Sequence, residues 1–147
     1  MTLQTLEKLT YNGRTVGMAS EPLSSFLENL NEKRPLFPVS SGCWRGYVGT
    51  WLIEDDKLYL IGFQGYARIK PNIIEPVDLS YIFPGKTKVF ASWFTGELRI
   101  PDGEVLQNIV ADYYPIYEID KFLEFKQGRL IGKRMVDNLL NHNREFL

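Results

Sequence analysis

The run from Trp44 to Ile61 constrains the fold more than any other part of the chain. It reads Trp44-Arg45-Gly46-Tyr47-Val48-Gly49-Thr50-Trp51-Leu52-Ile53, then Glu54-Asp55-Asp56, then Lys57-Leu58-Tyr59-Leu60-Ile61. Two stretches of aromatic and β-branched residues around a short acidic segment predict a β-hairpin. Side chains alternate across a strand, so Arg45, Tyr47, Gly49, Trp51 and Ile53 fall on one face. Trp44, Gly46, Val48, Thr50 and Leu52 fall on the other. A strand apolar on both faces belongs in the middle of a layered fold, or turns one face toward a cavity or a partner.

Further turn signals organise the rest. Asn12-Gly13 lies between Leu6–Tyr11 and Arg14–Met18 and predicts a first hairpin, because both residues accept the positive φ of a type I′ turn. Ser20-Glu21-Pro22 is a helix start, and Leu23, Phe26, Leu27 and Leu30 follow at helical spacing, which predicts a short helix over about 21–32. Gly62 and Gly65 predict bulges or bends. The prolines at 71, 76 and 84 predict an irregular stretch over 67–87, with a turn near Leu79–Phe83. Thr95-Gly96 between Lys88–Phe94 and Glu97–Ile100 predicts another hairpin, and Pro101-Asp102-Gly103 a turn. Glu104–Val110 and Tyr113–Glu118 read as strands. Lys126-Gln127-Gly128 predicts a hairpin between Lys121–Phe125 and Arg129–Ile131, and Met135–Leu147 a short terminal helix.

The expected fold is therefore α+β: a mainly antiparallel, twisted sheet or partial barrel built from hairpins, with one short N-terminal helix. The short connections favour antiparallel pairing. A chain of 147 residues with no repeat or linker reads as a single domain, 1–147. The expected core is Leu23, Phe26, Leu27, Val48, Trp51, Ile53, Leu58, Leu60, Val89, Ala91, Trp93, Leu98, Ile100, Ile116, Phe122, Leu123 and Phe125.

Charge and composition narrow the function. Seventeen basic residues stand against 18 acidic ones, so no overall field recruits nucleic acid or an anionic membrane. The lone Cys43 gives no internal disulfide framework and agrees with a reducing, cytoplasmic setting. Neither a leader at Met1–Lys8 nor an apolar run of roughly 20 residues is read from the sequence. With His142 as the single histidine, an imidazole-based metal site is excluded, and no cofactor is expected.

Several residues invite chemistry and have plainer explanations. Ser41-Gly42-Cys43-Trp44 has the Cys-Trp step of papain-like proteases, but there the nucleophile opens a helix, whereas here the pattern is a strand. Glu54-Asp55-Asp56 lacks the ligand spacing of a calcium loop and reads as a solvated turn. The glycines fit neither a phosphate loop nor a dinucleotide fingerprint. Lys121, Lys126, Arg129, Lys133 and Arg134 form a basic set suited to an acidic partner or phosphates, interleaved with Glu118, Asp120 and Glu124. Asp78, Glu97 and Asp112 cannot be brought together by spacing alone, so no acid–base pair is assigned.

Cys43-Trp44-Arg45-Gly46-Tyr47 with Thr50-Trp51, and Phe90-Ala91-Ser92-Trp93-Phe94-Thr95-Gly96-Glu97-Leu98-Arg99-Ile100-Pro101, form a pair of motifs. With Tyr11-Asn12-Gly13, Met18–Leu23, Tyr81–Gly85, Tyr117-Glu118 and Phe122–Phe125, they resemble a family of small bacterial proteins of unassigned function. That resemblance covers most of the chain, implies no catalytic residue, and points by type toward immunity or antitoxin proteins. The first expectation is thus a non-catalytic, immunity-type binding protein that occludes a protein toxin. The second is a binder of a small anionic, nucleotide-like ligand, with Trp44, Arg45, Tyr47, Trp51 and Arg99 stacking on and pairing with it. A hydrolase built on carboxylates alone ranks third.

Overall fold

A computed structural model describes residues 4–31, 34–107 and 116–139. The chain is predominantly β, which corrects the α+β expectation. Among the described residues nine strands form one mixed sheet: β1 (Glu7–Tyr11), β2 (Arg14–Met18), β3 (Tyr47–Glu54), β4 (Lys57–Lys70), β5 (Ile73–Val77), β6 (Val89–Phe90), β7 (Gly96–Gln107), β8 (Ile116–Lys126) and β9 (Arg129–Asp137). Among the described residues two short helices accompany them, α1 (Ser24–Glu28) and α2 (Leu79–Ile82). The main strand order is β2-β1-β3-β4-β9-β8-β7, with β5 and β6 both pairing to β4.

Every strand pair is antiparallel except β1 with β3, which run parallel with Leu9 opposite Trp51. A parallel pair needs a crossover, and the segment carrying α1 supplies it. The two ends of the curved sheet approach each other where the Ala19 N–H donates to the Arg99 carbonyl at 2.8 Å. No strand ladder forms there, so the sheet does not close into a barrel.

Three expected hairpins form: β1–β2 around Asn12-Gly13, β3–β4 around Asp55-Asp56, and β8–β9 around Gln127-Gly128. All six of these turn residues have positive φ, as the right-handed twist of the flanking strands requires. The bulge expected near Gly62 occurs one residue earlier, where Ile61 is the extra residue between Leu60 and Gly62 opposite Trp51 and Thr50.

Other expectations are corrected. Trp44 and Arg45 precede β3 in a turn that the backbone of Gly46 closes onto Cys43. The helix starts at Ser24 rather than near 21, because the Ser20 hydroxyl accepts the Arg99 N–H instead of capping α1. Residues 67–70 and 73–77 are strand, joined by a turn at Pro71-Asn72; Pro76 is accommodated because β5 pairs only with β4 and needs no second ladder. Thr95-Gly96 joins no hairpin. The Phe94 carbonyl and Thr95 hydroxyl instead accept N–H bonds from Gly128 and Gln127, while β7 pairs with β8. Pro101-Asp102-Gly103 makes no turn: Pro101 and Asp102 pair with Asp120 and Ile119 within β7, and Gly103-Glu104 bulge before the next pair, Val105–Tyr117. Residues 108–115 and 140–147, with parts of two expected strands, most of the terminal helix and His142, lie outside the described residues.

The core is centred on Trp51, with Leu9, Met18, Leu23, Leu58, Leu60, Leu98 and Phe125 fully or almost fully buried. Val48, Ile116 and Phe122, expected inside, are only half-buried. Phe122 lies on the outer face of β8 beneath the Arg134 guanidinium, 3.9 Å from the ring centre.

The β8–β9 turn locks the two halves of the sheet. Gly128 has φ +81°, its carbonyl accepts the Leu58 N–H, and an added Cβ would lie 2.6 Å from the Ala91 carbonyl oxygen. Gly13 has φ +77° with open space around it. Gly13→Ala should cost about 1–2 kcal/mol from backbone strain alone, and Gly128→Ala clearly more. Urea unfolding of the two variants checks this, and equal costs would show that the turn contact carries no weight.

Candidate functional site

The five residues expected to hold a ligand fall into two places. Arg45, Tyr47 and Trp51 converge around Glu7, which has no accessible surface. Arg45 Nη2 donates to Glu7 Oε2 at 2.7 Å, the Gly49 N–H donates to the same oxygen at 2.7 Å, and Trp51 Nε1 donates to Oε1 at 3.3 Å. The Arg45 guanidinium also stands 5.5 Å from the centre of the Tyr47 ring and 4.0 Å from a Glu21 oxygen. Gly49 is required here, because a Cβ would lie 2.6 Å from Glu7 Oε1.

Trp44 sits beside this cluster, 48% exposed, its backbone N–H donating to Gln4 Oε1. Arg99 is remote from it. Its Nε donates to Asp120 at 2.9 Å, and the other Asp120 oxygen accepts from Asn138. The structure therefore unites Arg45, Tyr47 and Trp51, keeps Trp44 at their rim, and places Arg99 on the outer face of β7.

Glu7 is the member that the residue pattern did not single out. The signal was present: period-two alternation from Leu9 places Glu7 on the inward face of β1, opposite Met18. Burial pushes its carboxyl above the ordinary range, more strongly than Arg45 and the N–H groups pull it down. Burial, aided by the Glu7 charge, also raises the Tyr47 phenol, which stays protonated and contacts Ser24 Oγ.

Two surface depressions flank this core. The larger, about 890 Å³, lies between β3, the middle of β4, β5 and α2. Phe63, Tyr47, Tyr66, Tyr81 and Val77 line it together with Cys43, whose thiol donates to the Tyr47 carbonyl. Its single charged lining residue is Asp78, whose carboxylate caps α2 by accepting from the Ser80 N–H and hydroxyl.

The smaller, about 530 Å³, lies between the β1–β2 hairpin and β7–β8–β9. It brings Lys121, Lys133 and Arg134 of the expected basic set beside Arg14, which the residue pattern had left out. Among the described residues no three His, Cys, Asp or Glu side chains gather as a metal site would need, and no helix is long and apolar enough to cross a membrane.

No family model matches this chain, and no curated protein or solved structure is significantly similar to it.

Removing Arg45 tests what the buried cluster does. Arg45→Met leaves the Glu7 carboxylate buried without its cation and should cost about 3–5 kcal/mol at neutral pH. With the cation gone, the folded-state pKa of Glu7 stands further above its unfolded value, so the folded state binds the proton more tightly. The loss should then be smallest below the ordinary carboxylate range and grow as pH rises through the folded pKa. Glu7→Gln combined with Arg45→Met should recover part of the stability, since the neutral amide needs no cation and its oxygen still accepts from the Gly49 N–H, while its NH2 takes the place of the oxygen that accepted from Trp51. Denaturant unfolding across pH measures all three, and a pH-independent Arg45→Met loss would overturn the assignment.

Proposed function

We propose that this chain is a non-catalytic binding protein of the immunity type, acting in a reducing cytoplasm, which neutralises a protein partner by covering part of its surface. The observation that carries this reading is the unpaired edge of β9. β9 pairs with β8 along its length, but β4 meets it only at Arg129. From Ile131 to Asp137 no strand among the described residues pairs its other edge.

A free edge offers a ladder of backbone donors and acceptors to an incoming strand. Ile131 and Met135 add apolar surface beside it, 58% and 65% exposed. Arg129 and Lys133 on β9, with Lys121 and Lys126 on β8, supply positive charge. A partner with an acidic, strand-forming segment fits this chemistry. The free Cys43, which donates to a backbone carbonyl, agrees with a reducing compartment.

Native mass spectrometry of the protein isolated gently from its host should show one bound polypeptide at defined stoichiometry. Ile131→Lys and Met135→Glu should each weaken that complex by at least about thirtyfold while leaving the melting temperature nearly unchanged. A bare chain, or a complex indifferent to both substitutions, would overturn the reading.

A further inference from the structure

The depression between the β1–β2 hairpin and β7–β8–β9 is distinct in chemistry from both the buried cluster and the β9 edge. Strand alternation sets its composition. Glu7, Leu9 and Tyr11 share the inward face of β1 with Arg14, Val16 and Met18 of β2. Across from them, Leu98 and Ile100 of β7 and Leu123 and Phe125 of β8 point inward. Near the core, this inner face is apolar apart from the buried Glu7. Towards the hairpin tip it becomes mixed: Val16, Ile100 and Leu123 form the floor, and Tyr11, Arg14, Lys121, Lys133 and Met135 the rim.

The rim carries more positive charge than the fold neutralises. Arg134 also borders the depression, but its guanidinium turns to the outer face and makes two bonds to Glu97 at 2.8 Å. That leaves Arg14, Lys121 and Lys133 against the one lining carboxylate, Asp102, which Lys121 meets at 3.1 Å. Arg14 has no ion pair within 4 Å among the described residues. Lys133 lies 5.2 Å from the centre of the Tyr11 ring; Tyr11 and, more weakly, the charge of Asp56 favour its ammonium form, but it makes no ion pair within 4 Å among the described residues.

An apolar floor of this size beneath two cations that make no direct ion pair matches one class of ligand. We propose that the depression binds a small amphipathic anion, a carboxylate or phosphate on an aliphatic or aromatic body. The head group would lie between Arg14 and Lys133, and the body on Val16, Ile100 and Leu123. Its volume falls within the range of small-molecule sites, and such sites favour the mouths of barrel-like sheets. Charge-assisted bonds from a guanidinium and an ammonium suit either head group. The site shares Lys133 and Met135 with the β9 surface, but anion binding is measured with no protein partner present, so a failure of protein binding leaves it standing.

The test titrates the purified chain with decanoate and with decyl phosphate, both below micelle formation, and with decyltrimethylammonium and decanol at equal concentrations. Binding is followed by calorimetry and by the NMR shift of a labelled Met135 methyl group. One or both anions should bind at one site and shift Met135 saturably, and which binds more tightly distinguishes carboxylate from phosphate. The cation and the alcohol should bind at least about tenfold more weakly. Arg14→Gln and Lys133→Gln, both at the rim, should each lower anion affinity about tenfold without moving the melting temperature. Absence of saturable anion binding to the unmodified protein, equal binding of the cation or alcohol, or affinity unchanged in both variants would overturn the proposal.

Discussion

The buried Glu7 carboxylate is the constraint on which the rest of the architecture depends. A charge removed from water must find donors, and here they come from separate stretches: Arg45 from the turn before β3, and Gly49 and Trp51 from β3 itself. These bonds tie β1 to the only strand with which it runs parallel. They also account for the glycine at 49, since a side chain there would collide with Glu7. Trp51, held by its indole N–H, then packs edge-on to Trp93, whose own N–H bonds the Pro22 carbonyl and whose ring meets Phe26. One polar contact thereby orients the aromatic layer that joins α1 to the sheet. Such an ion pair is weak grounds for claiming net stability, because desolvation offsets much of its attraction. Its clearer consequence is register: sliding β1 by one residue would expose Leu9 and bury Lys8.

The depression with the basic rim and the free strand edge share an origin in incomplete closure. β4 is the longest strand and meets four others besides its hairpin partner's turn: β3 along one side, β5 and β6 on the other, and β9 at a single residue. After Arg129, β9 runs past the β3–β4 turn and loses its neighbour. The β1–β2 hairpin approaches from the opposite side without pairing, and the depression with the basic rim lies in that gap. Surface chemistry follows from topology in this way. Arg14 and Lys133 are distant in sequence and become neighbours because the sheet curves until its ends nearly meet.

Much of the local structure was legible in the residues. Three tight turns were marked by Asn12-Gly13, the acidic segment at 54–56 and Gln127-Gly128, because few residues tolerate positive φ. The inward face of β3 followed from simple alternation. Where reading failed, a tertiary partner had taken over a local signal. Ser20 has the chemistry of a helix cap, yet its hydroxyl serves the Arg99 N–H. Thr95-Gly96 has the chemistry of a hairpin turn, yet its hydrogen bonds go to the β8–β9 turn. Pro76 marks irregular chain in isolation, but an edge strand with one neighbour accommodates it.

The candidate sites divide along the same line. Sequence alone determined that Arg45, Tyr47, Trp51 and the basic residues near the C-terminus were unusual in kind, and that alternation grouped the first three on one face. Only tertiary structure decided what each group does. It placed Glu7 against Arg45, gave Asp120 to Arg99, and set Arg14 of the first hairpin opposite Lys133 of the last strand. The physical reason is range: turn chemistry and side-chain alternation act over a few residues, whereas charge compensation and burial are settled by whichever distant strand the sheet brings alongside.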